Sequence, residues 1–190
     1  MSTSTELKRI INTSTCLITE SEIDKRISEL AYELSDKLNG EDPVFLCTLV
    51  GALIFTGKLT SRIKIPIQID YAHASRYDES SSGNEVTWHA TPKISLKNRT
   101  VVILDDVLDG GITIGAIYKY CLENDAKKVL SVVMIDKPSG RRPGGLQKPD
   151  FTCFTIGDYW LIGTGLDYKG YLRNLPGIYA MDPDVVKEYY

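Results

Sequence analysis

The sequence predicts an α/β fold built on a parallel sheet covered by helices. Three observations predict it. Unbroken apolar runs recur at Val44–Val50, Thr100–Leu104 and Val129–Ile135, the pattern of strands buried on both faces. A helical stretch separates the second run from the third, as a βαβ unit requires. Glycines follow the first two runs, at Gly51 and at Gly110-Gly111, and mark turns at strand ends.

Taken in order, residues 20 to 38 carry apolar side chains at Ile23, Ile27, Leu30, Ala31, Leu34 and Leu38, the spacing of an amphipathic helix that Asn39-Gly40 closes. Strand 44–50 turns at Gly51 into a second helix. Residues 65–75 and 85–92 alternate apolar and polar positions and read as strands wet on one side. Between them RYDESSSGNE, 76 to 85, is either a plain hairpin tip or a mobile lid. Strand 100–104 feeds a helix from Thr113 to Asn124, then strand 129–135 and a last strand in DFTCFTIG, 150–157. The loop KPSGRRPGGLQKP, 137–149, is dense in turn formers and reads as a solvated connection, with Arg141 or Arg142 available to a neighbouring subunit. Tyr71, Trp88, Tyr118 and Tyr179 read as packing.

With 190 residues the chain suits one domain with a full core. A net charge of −3 and a pI of about 5.5 argue against a nucleic-acid partner, which needs a basic face. No apolar run approaches the ~20 residues of a membrane span. The N-terminal MSTSTELKRIINTSTC lacks the apolar core of a secretion leader, so a cytoplasmic location is expected. Cys16, Cys47, Cys121 and Cys153 form no CxxC and read as reduced, packed thiols. His73 and His89 are too few for a His-rich site, so any metal would be a hard cation held by oxygen.

One stretch, VVILDDVLDGGITIGAIYKY, exceeds what a strand-to-helix turn needs. In an open α/β sheet, ligands sit beyond the carboxyl ends of the parallel strands, where residues 105–113 fall. The amides of residues 110 to 113 and the Thr113 hydroxyl sit at a helix N-terminus, a place that favours phosphate. Asp105, Asp106 and Asp109 would repel a bare phosphate, so they need sugar hydroxyls or a divalent cation between. A ligand carrying both a phosphate and a ribose diol satisfies the whole turn. Capping by Asp109 explains one acid and not three. A phosphorylated receiver domain spreads its aspartates over several strands and has no use for the glycine pair.

At these residues the sequence resembles a known family. VVILDDVLDGGIT is similar to the 5-phosphoribosyl-1-pyrophosphate (PRPP) motif of the type I phosphoribosyltransferases. The stretch DYWLIGTGLDYKGYLRNLPGIYAM, with its G-x-G-L-D-Y and R-x-L-P, resembles the hypoxanthine-guanine members. DYAHASRYDE and IDKPSGR fit the same order, so the resemblance runs from about residue 40 to 180. It implies a single domain over 1–190, with a core near 40–157 and a hood from 1–20 and 158–190. It implies transfer of the phosphoribosyl group of PRPP to hypoxanthine or guanine, with Mg²⁺, in a homodimer or homotetramer.

The roles implied by the resemblance are these. Asp105 and Asp106 hold the ribose hydroxyls, directly or through metal, and Asp109 is the general base at purine N7. Gly110, Gly111, Ile112 and Thr113 bind the 5′-phosphate. Val50 and Gly51 contact pyrophosphate, which Arg173 also reaches, and Asp167 helps hold a second Mg²⁺. Lys137 meets the 6-oxo group, Trp160 stacks on the base and the Leu161 backbone reads its edge. Ser75, Arg76 and Tyr77 open the lid. Departures from the family pattern are Val50 in place of a basic residue, Asp105 in place of Glu, and Gly110 in place of Ser or Thr.

Elementary chemistry bears on these roles. A right-handed crossover puts Lys137 on the same sheet edge as the aspartates. There it donates to a 6-oxo group and would meet adenine donor to donor, a mismatch that discriminates strongly. A solvated lysine or arginine, a core tryptophan and a turn-capping aspartate are the plain alternatives for Lys137, Arg173, Trp160 and Asp167. Two other functions stay open: a xanthine-preferring sister enzyme, and a non-catalytic nucleotide-sensing regulator of the same fold.

Overall fold

The computed structural model of the chain describes residues 3–76 and 86–189. Its centre is a six-stranded sheet. Strand β2 (Pro43–Thr48) lies between β3 (Gln68–Arg76) and β5 (Thr100–Leu108), followed by β6 (Lys128–Asp136) and β7 (Phe151–Thr155), all parallel. The antiparallel β4 (Val86–Ala90) edges the sheet beside β3.

Alternation along the central strands sorts the core into two layers. Phe45, Val102 and Leu104 face helices α2 (Glu20–Lys37) and α3 (Leu53–Thr60), packing on Ile23, Ile27, Leu30, Phe55 and Leu59. Val44, Leu46, Val101 and Ile103 face α4 (Ile112–Glu123) through Ile114, Ile117 and Cys121. All of these side chains are buried. Each aliphatic or aromatic one buried this way contributes about 1.5–3 kcal/mol, and their sum fixes the register of the sheet. Helix α2 starts at a capping box, in which the Thr19 hydroxyl accepts from the Glu22 N–H and the Glu22 carboxylate accepts from the Thr19 N–H. It ends at Lys37, with Leu38 as its C-cap two residues before the left-handed Gly40.

Both ends of the chain build a second, three-stranded sheet. Strand β1 (Thr15–Ile18) pairs antiparallel with β9 (Ile178–Ala180), which also pairs with β8 (Leu161–Ile162). Helices α1 (Thr3–Thr13) and α5 (Pro183–Tyr189) close over it around Ile10, Ile162, Tyr168, Leu172, Met181 and Val185. The Tyr168 hydroxyl donates to the Glu6 carboxylate, and Arg9 pairs with Glu188 at 2.6 Å. Among the described residues, no helix is long and apolar enough to cross a membrane.

Several sequence expectations need correction. The strand expected over 100–104 runs on to Leu108, because Asp105, Val107 and Leu108 keep pairing with Val133, Ile135 and Asp136. Polar side chains hid a backbone that is still strand. The peptide between Leu49 and Val50 is cis and lies just beyond β2, which ends at Thr48. Cys16 is exposed rather than packed, while Cys47, Cys121 and Cys153 are buried. Tyr71 is also exposed, whereas Trp88, Tyr118 and Tyr179 pack against the buried clusters. The loop 137–149 is largely solvated, as expected, but it is also docked on the turn after β5. Arg142 and Leu146 donate backbone N–H bonds to the Gly110 and Gly111 carbonyls at 3.1 and 2.9 Å. Arg141 points inward: its guanidinium donates to the carbonyls of Leu108, Asp109, Lys137 and Gln147 and pairs with Asp136.

Candidate active site

The carboxyl ends of β2, β5 and β6 open onto two adjoining cavities. The larger, about 570 Å³, is lined by Val50 and Gly51 beyond β2, by Asp105, Asp106 and Asp109, by Gly110 to Thr113, and by Asp167 and Arg173 from the chain after β8. Ser75 at the end of β3 completes one wall. The smaller, about 380 Å³, is lined by Lys137, Asp158, Tyr159, Trp160, Leu161 and Leu166. Asp106, Val107, Asp109 and Asp167 belong to both.

Close backbone approaches build this geometry. Gly111 is left-handed at φ +78, and a side chain there would collide with the Leu146 backbone. It caps α4, and the Gly115 N–H bonds back to its carbonyl at 2.9 Å, so the amides of the first turn stay open toward the cavity. Gly51 lies against the Asp106 carboxylate, and a Cβ at Gly165 would overlap the Gly51 carbonyl. The second sheet is thereby seated on the loop after β2, which brings Asp167 and Arg173 to the cavity.

Charge is concentrated here. Asp105 is buried, with its carboxylate accepting from the Asp106 N–H at 3.1 Å. Burial holds the Asp105 carboxyl well above the usual carboxylate range, and the neighbouring Asp106 charge adds to the shift. Asp106 is raised as well, by burial, offset in part by its hydrogen bond with Asp105 and the charge of Arg173. Ionising both adjacent carboxyls is costly in this buried setting. Asp109 behaves differently. Its carboxylate is half exposed, opens to both cavities and lies over Gly140, 4.0 Å from Lys137 Nζ. Lys137 is largely buried, donates to the Tyr159 carbonyl at 3.0 Å and pairs with Asp158 at 3.3 Å.

The sequence-derived residues therefore gather at one place, with differences in detail. Asp167 and Arg173, expected to act separately, are paired at 2.7 Å, and Asp167 also accepts from the Gly170 N–H. Arg173 further donates to the Gly165 carbonyl. Trp160 is half exposed on the smaller cavity, and Leu161 is buried beside it. Ser75 hydrogen-bonds His89 across β3 and β4 at 2.8 Å, Arg76 ends β3, and Tyr77 lies outside the described residues with the rest of the expected lid. Thr48, Asp158 and Tyr159 line the cavities and were not singled out, and Arg142, read as available to a neighbouring subunit, lines the larger one. Asp158-Tyr159 directly precedes Trp160, so adjacency was the available signal.

No cluster of three or more His, Cys, Asp or Glu that could hold a metal ion occurs among the described residues. The residues present still suit Mg²⁺. It binds through one or two carboxylates and completes its shell with water and substrate oxygens, and the mutually repelling Asp105–Asp106 pair is relieved by such a cation.

Comparison with known proteins agrees with this arrangement. A family model described as the phosphoribosyl transferase domain matches residues 18–169. The hypoxanthine-guanine phosphoribosyltransferase of Bacillus subtilis is 34% identical over 170 residues, 89% of this chain and 93% of its own. That of Lactococcus lactis is 32% identical over 170 residues, 89% of this chain and 91% of its own. Among solved structures, a hypoxanthine phosphoribosyltransferase from Staphylococcus aureus superposes with a TM-score of 0.86 at 29% identity, covering 92% of this chain and 95% of its own. One from Trypanosoma cruzi, in complex with the product IMP, gives 0.83 at 28% identity, covering 90% and 95%. The chain therefore belongs to the phosphoribosyltransferases, among their hypoxanthine-guanine members.

Proposed function

We propose that this chain transfers the 5-phosphoribosyl group of PRPP to N9 of hypoxanthine or guanine, giving IMP or GMP and pyrophosphate, as a single domain with the hood formed by its two ends. One observation carries the reading: a cavity with an open helix N-terminus and a cavity with an aromatic wall meet at Asp109.

In this reading the amides of Gly110 to Thr113 receive the 5′-phosphate, Asp105 and Asp106 the ribose side, and Val50, Gly51 and Arg173 the pyrophosphate. Bound Mg²⁺, held through Asp105 and Asp106 with Asp167 nearby, supplies charge neutralisation for the leaving group. The purine lies against Trp160 with its edge along Leu161, and the Lys137 ammonium donates to its 6-oxo oxygen. As the bond from N9 to the anomeric carbon forms and the bond to pyrophosphate breaks, the Asp109 carboxylate accepts the N7 proton. The carboxylates around the ribose favour positive charge developing on it. The Lys137–Asp109 separation of 4.0 Å supports both groups acting on one base. A cytoplasmic, self-assembling enzyme belongs to the same reading.

The test offers Mg²⁺ and PRPP with hypoxanthine, guanine, xanthine and adenine in turn. Rapid use of the first two and none of adenine is expected. Xanthine used fastest would move the substrate assignment, and no turnover with any purine would refute the function. Asp109→Asn should lower turnover about 10²–10⁴-fold with PRPP binding retained. Unchanged turnover removes it as the base.

A further inference from the structure

The turn that receives phosphate is overhung by Arg142. Its backbone N–H bonds to the Gly110 carbonyl at 3.1 Å. Its aliphatic stem lies across Gly110, so that a Cβ there would stand 3.3 Å from Arg142 Cδ, 3.4 Å from Cγ and 3.6 Å from Nε. Gly110 is outside the left-handed region, so its own backbone does not call for glycine. A larger residue there would crowd the arginine stem, which would have to shift by a few tenths of an ångström.

The Arg142 side chain lines the larger cavity. Four carboxylates line that cavity too: Asp105, Asp106, Asp109 and Asp167. Its other arginine, Arg173, is committed to Asp167 at 2.7 Å. Among the described residues, Arg142 is in no ion pair. An incoming phosphate dianion therefore meets four acids and a single uncommitted guanidinium, and that guanidinium flanks the open amides of α4.

We propose that Arg142, whose stem lies along Gly110, binds the 5′-phosphate of PRPP together with the Gly110–Thr113 amides. This rests on the phosphate placement proposed above. Arginine suits the task because its planar fork can give two parallel bonds to phosphate oxygens. The contact is solvent-accessible, so its effect is moderate and falls with ionic strength.

The experiment compares Arg142→Ala, Arg142→Lys and Thr113→Val, by steady-state kinetics and by direct titration of PRPP with Mg²⁺. Arg142→Ala should raise the PRPP KM and Kd about five- to tenfold, with kcat and the hypoxanthine KM within about twofold. Arg142→Lys should recover part of the loss. Salt should weaken PRPP binding more steeply in the wild type than in Arg142→Ala. A normal PRPP Kd in Arg142→Ala, with Thr113→Val weakened, overturns the assignment of Arg142 alone. Normal binding in both variants overturns the phosphate placement itself. Equal losses in kcat and in both KM values, with a lowered Tm, would make Arg142 a structural residue and sink the proposal.

Discussion

Gly140 offers a test of how tightly Asp109, the proposed general base, is held. A methyl group added there would stand 2.7 Å from Asp109 Cγ and 3.4 Å from the Asp109 carbonyl carbon, and would overlap Oδ1. Carbon atoms pack best at about 3.5–4.0 Å, so the carboxyl group must retreat by roughly 1 Å. A misplacement of that size costs about a hundredfold in rate. The backbone of Gly140 is not left-handed, so alanine brings no strain of its own. Gly140→Ala should therefore lower kcat about a hundredfold while PRPP affinity stays within about twofold and Tm within a few degrees. The assay is IMP formation under saturating substrates, with PRPP titrated separately. A cycle with Asp109→Asn makes the test strict. If both changes act through one carboxylate, the double variant is no slower than Asp109→Asn alone. Wild-type turnover in Gly140→Ala, or losses that multiply in the double variant, would refute the reasoning.

Lys137→Ala should raise the KM for hypoxanthine far more than that for PRPP, because its partners Tyr159 and Asp158 line the smaller cavity; equal losses in initial-rate measurements would contradict it. Arg141→Met leaves Asp136 largely buried without its partner and strips donors from four carbonyls, so denaturant unfolding should show a loss of about 3–5 kcal/mol. Asp105→Asn should stabilise the ligand-free protein at neutral pH. The folded pKa of Asp105 lies above its unfolded value near 3.8, so the folded state bears a penalty that appears as pH rises through that window and is absent below it. The Tm gain should vanish below about pH 4, while Mg²⁺-dependent PRPP binding falls; a gain that grows on acidification would reverse the sign.

Much of this was written in local pattern. Apolar runs and helical spacing located α2, β2, α4, β6 and β7 because each element buries a face that its own composition declares. The acidic turn was legible because Asp105, Asp106 and Asp109 exceed what capping needs. The loop 137–149 was only half legible. Its Gly, Pro and Arg content resembles any wet connection, and what docks it are backbone bonds to Gly110 and Gly111, some 30 residues earlier in the chain. Arg141 is held both by nearby Asp136, Lys137 and Gln147 and by the distant Leu108 and Asp109 carbonyls. The Asp167–Arg173 pair was equally hidden, since sequence separation within a glycine-rich bend says nothing of which side chains face each other. Helix α1 went unread because its polar opening masks the few positions, Ile10 and Leu7, that pack on Tyr168 and Leu172.

The pairing of Thr15 with Ala180 imposes an order on biogenesis. A growing polypeptide can close the six-stranded sheet as soon as β7 emerges, yet the opening strand has no partner until β9 follows. Asp158, Trp160 and Asp167 sit within that late-closing segment. On the proposed roles, a nascent chain halted before Ile178 would carry the turn assigned to phosphate without the paired sheet that backs the wall assigned to the base.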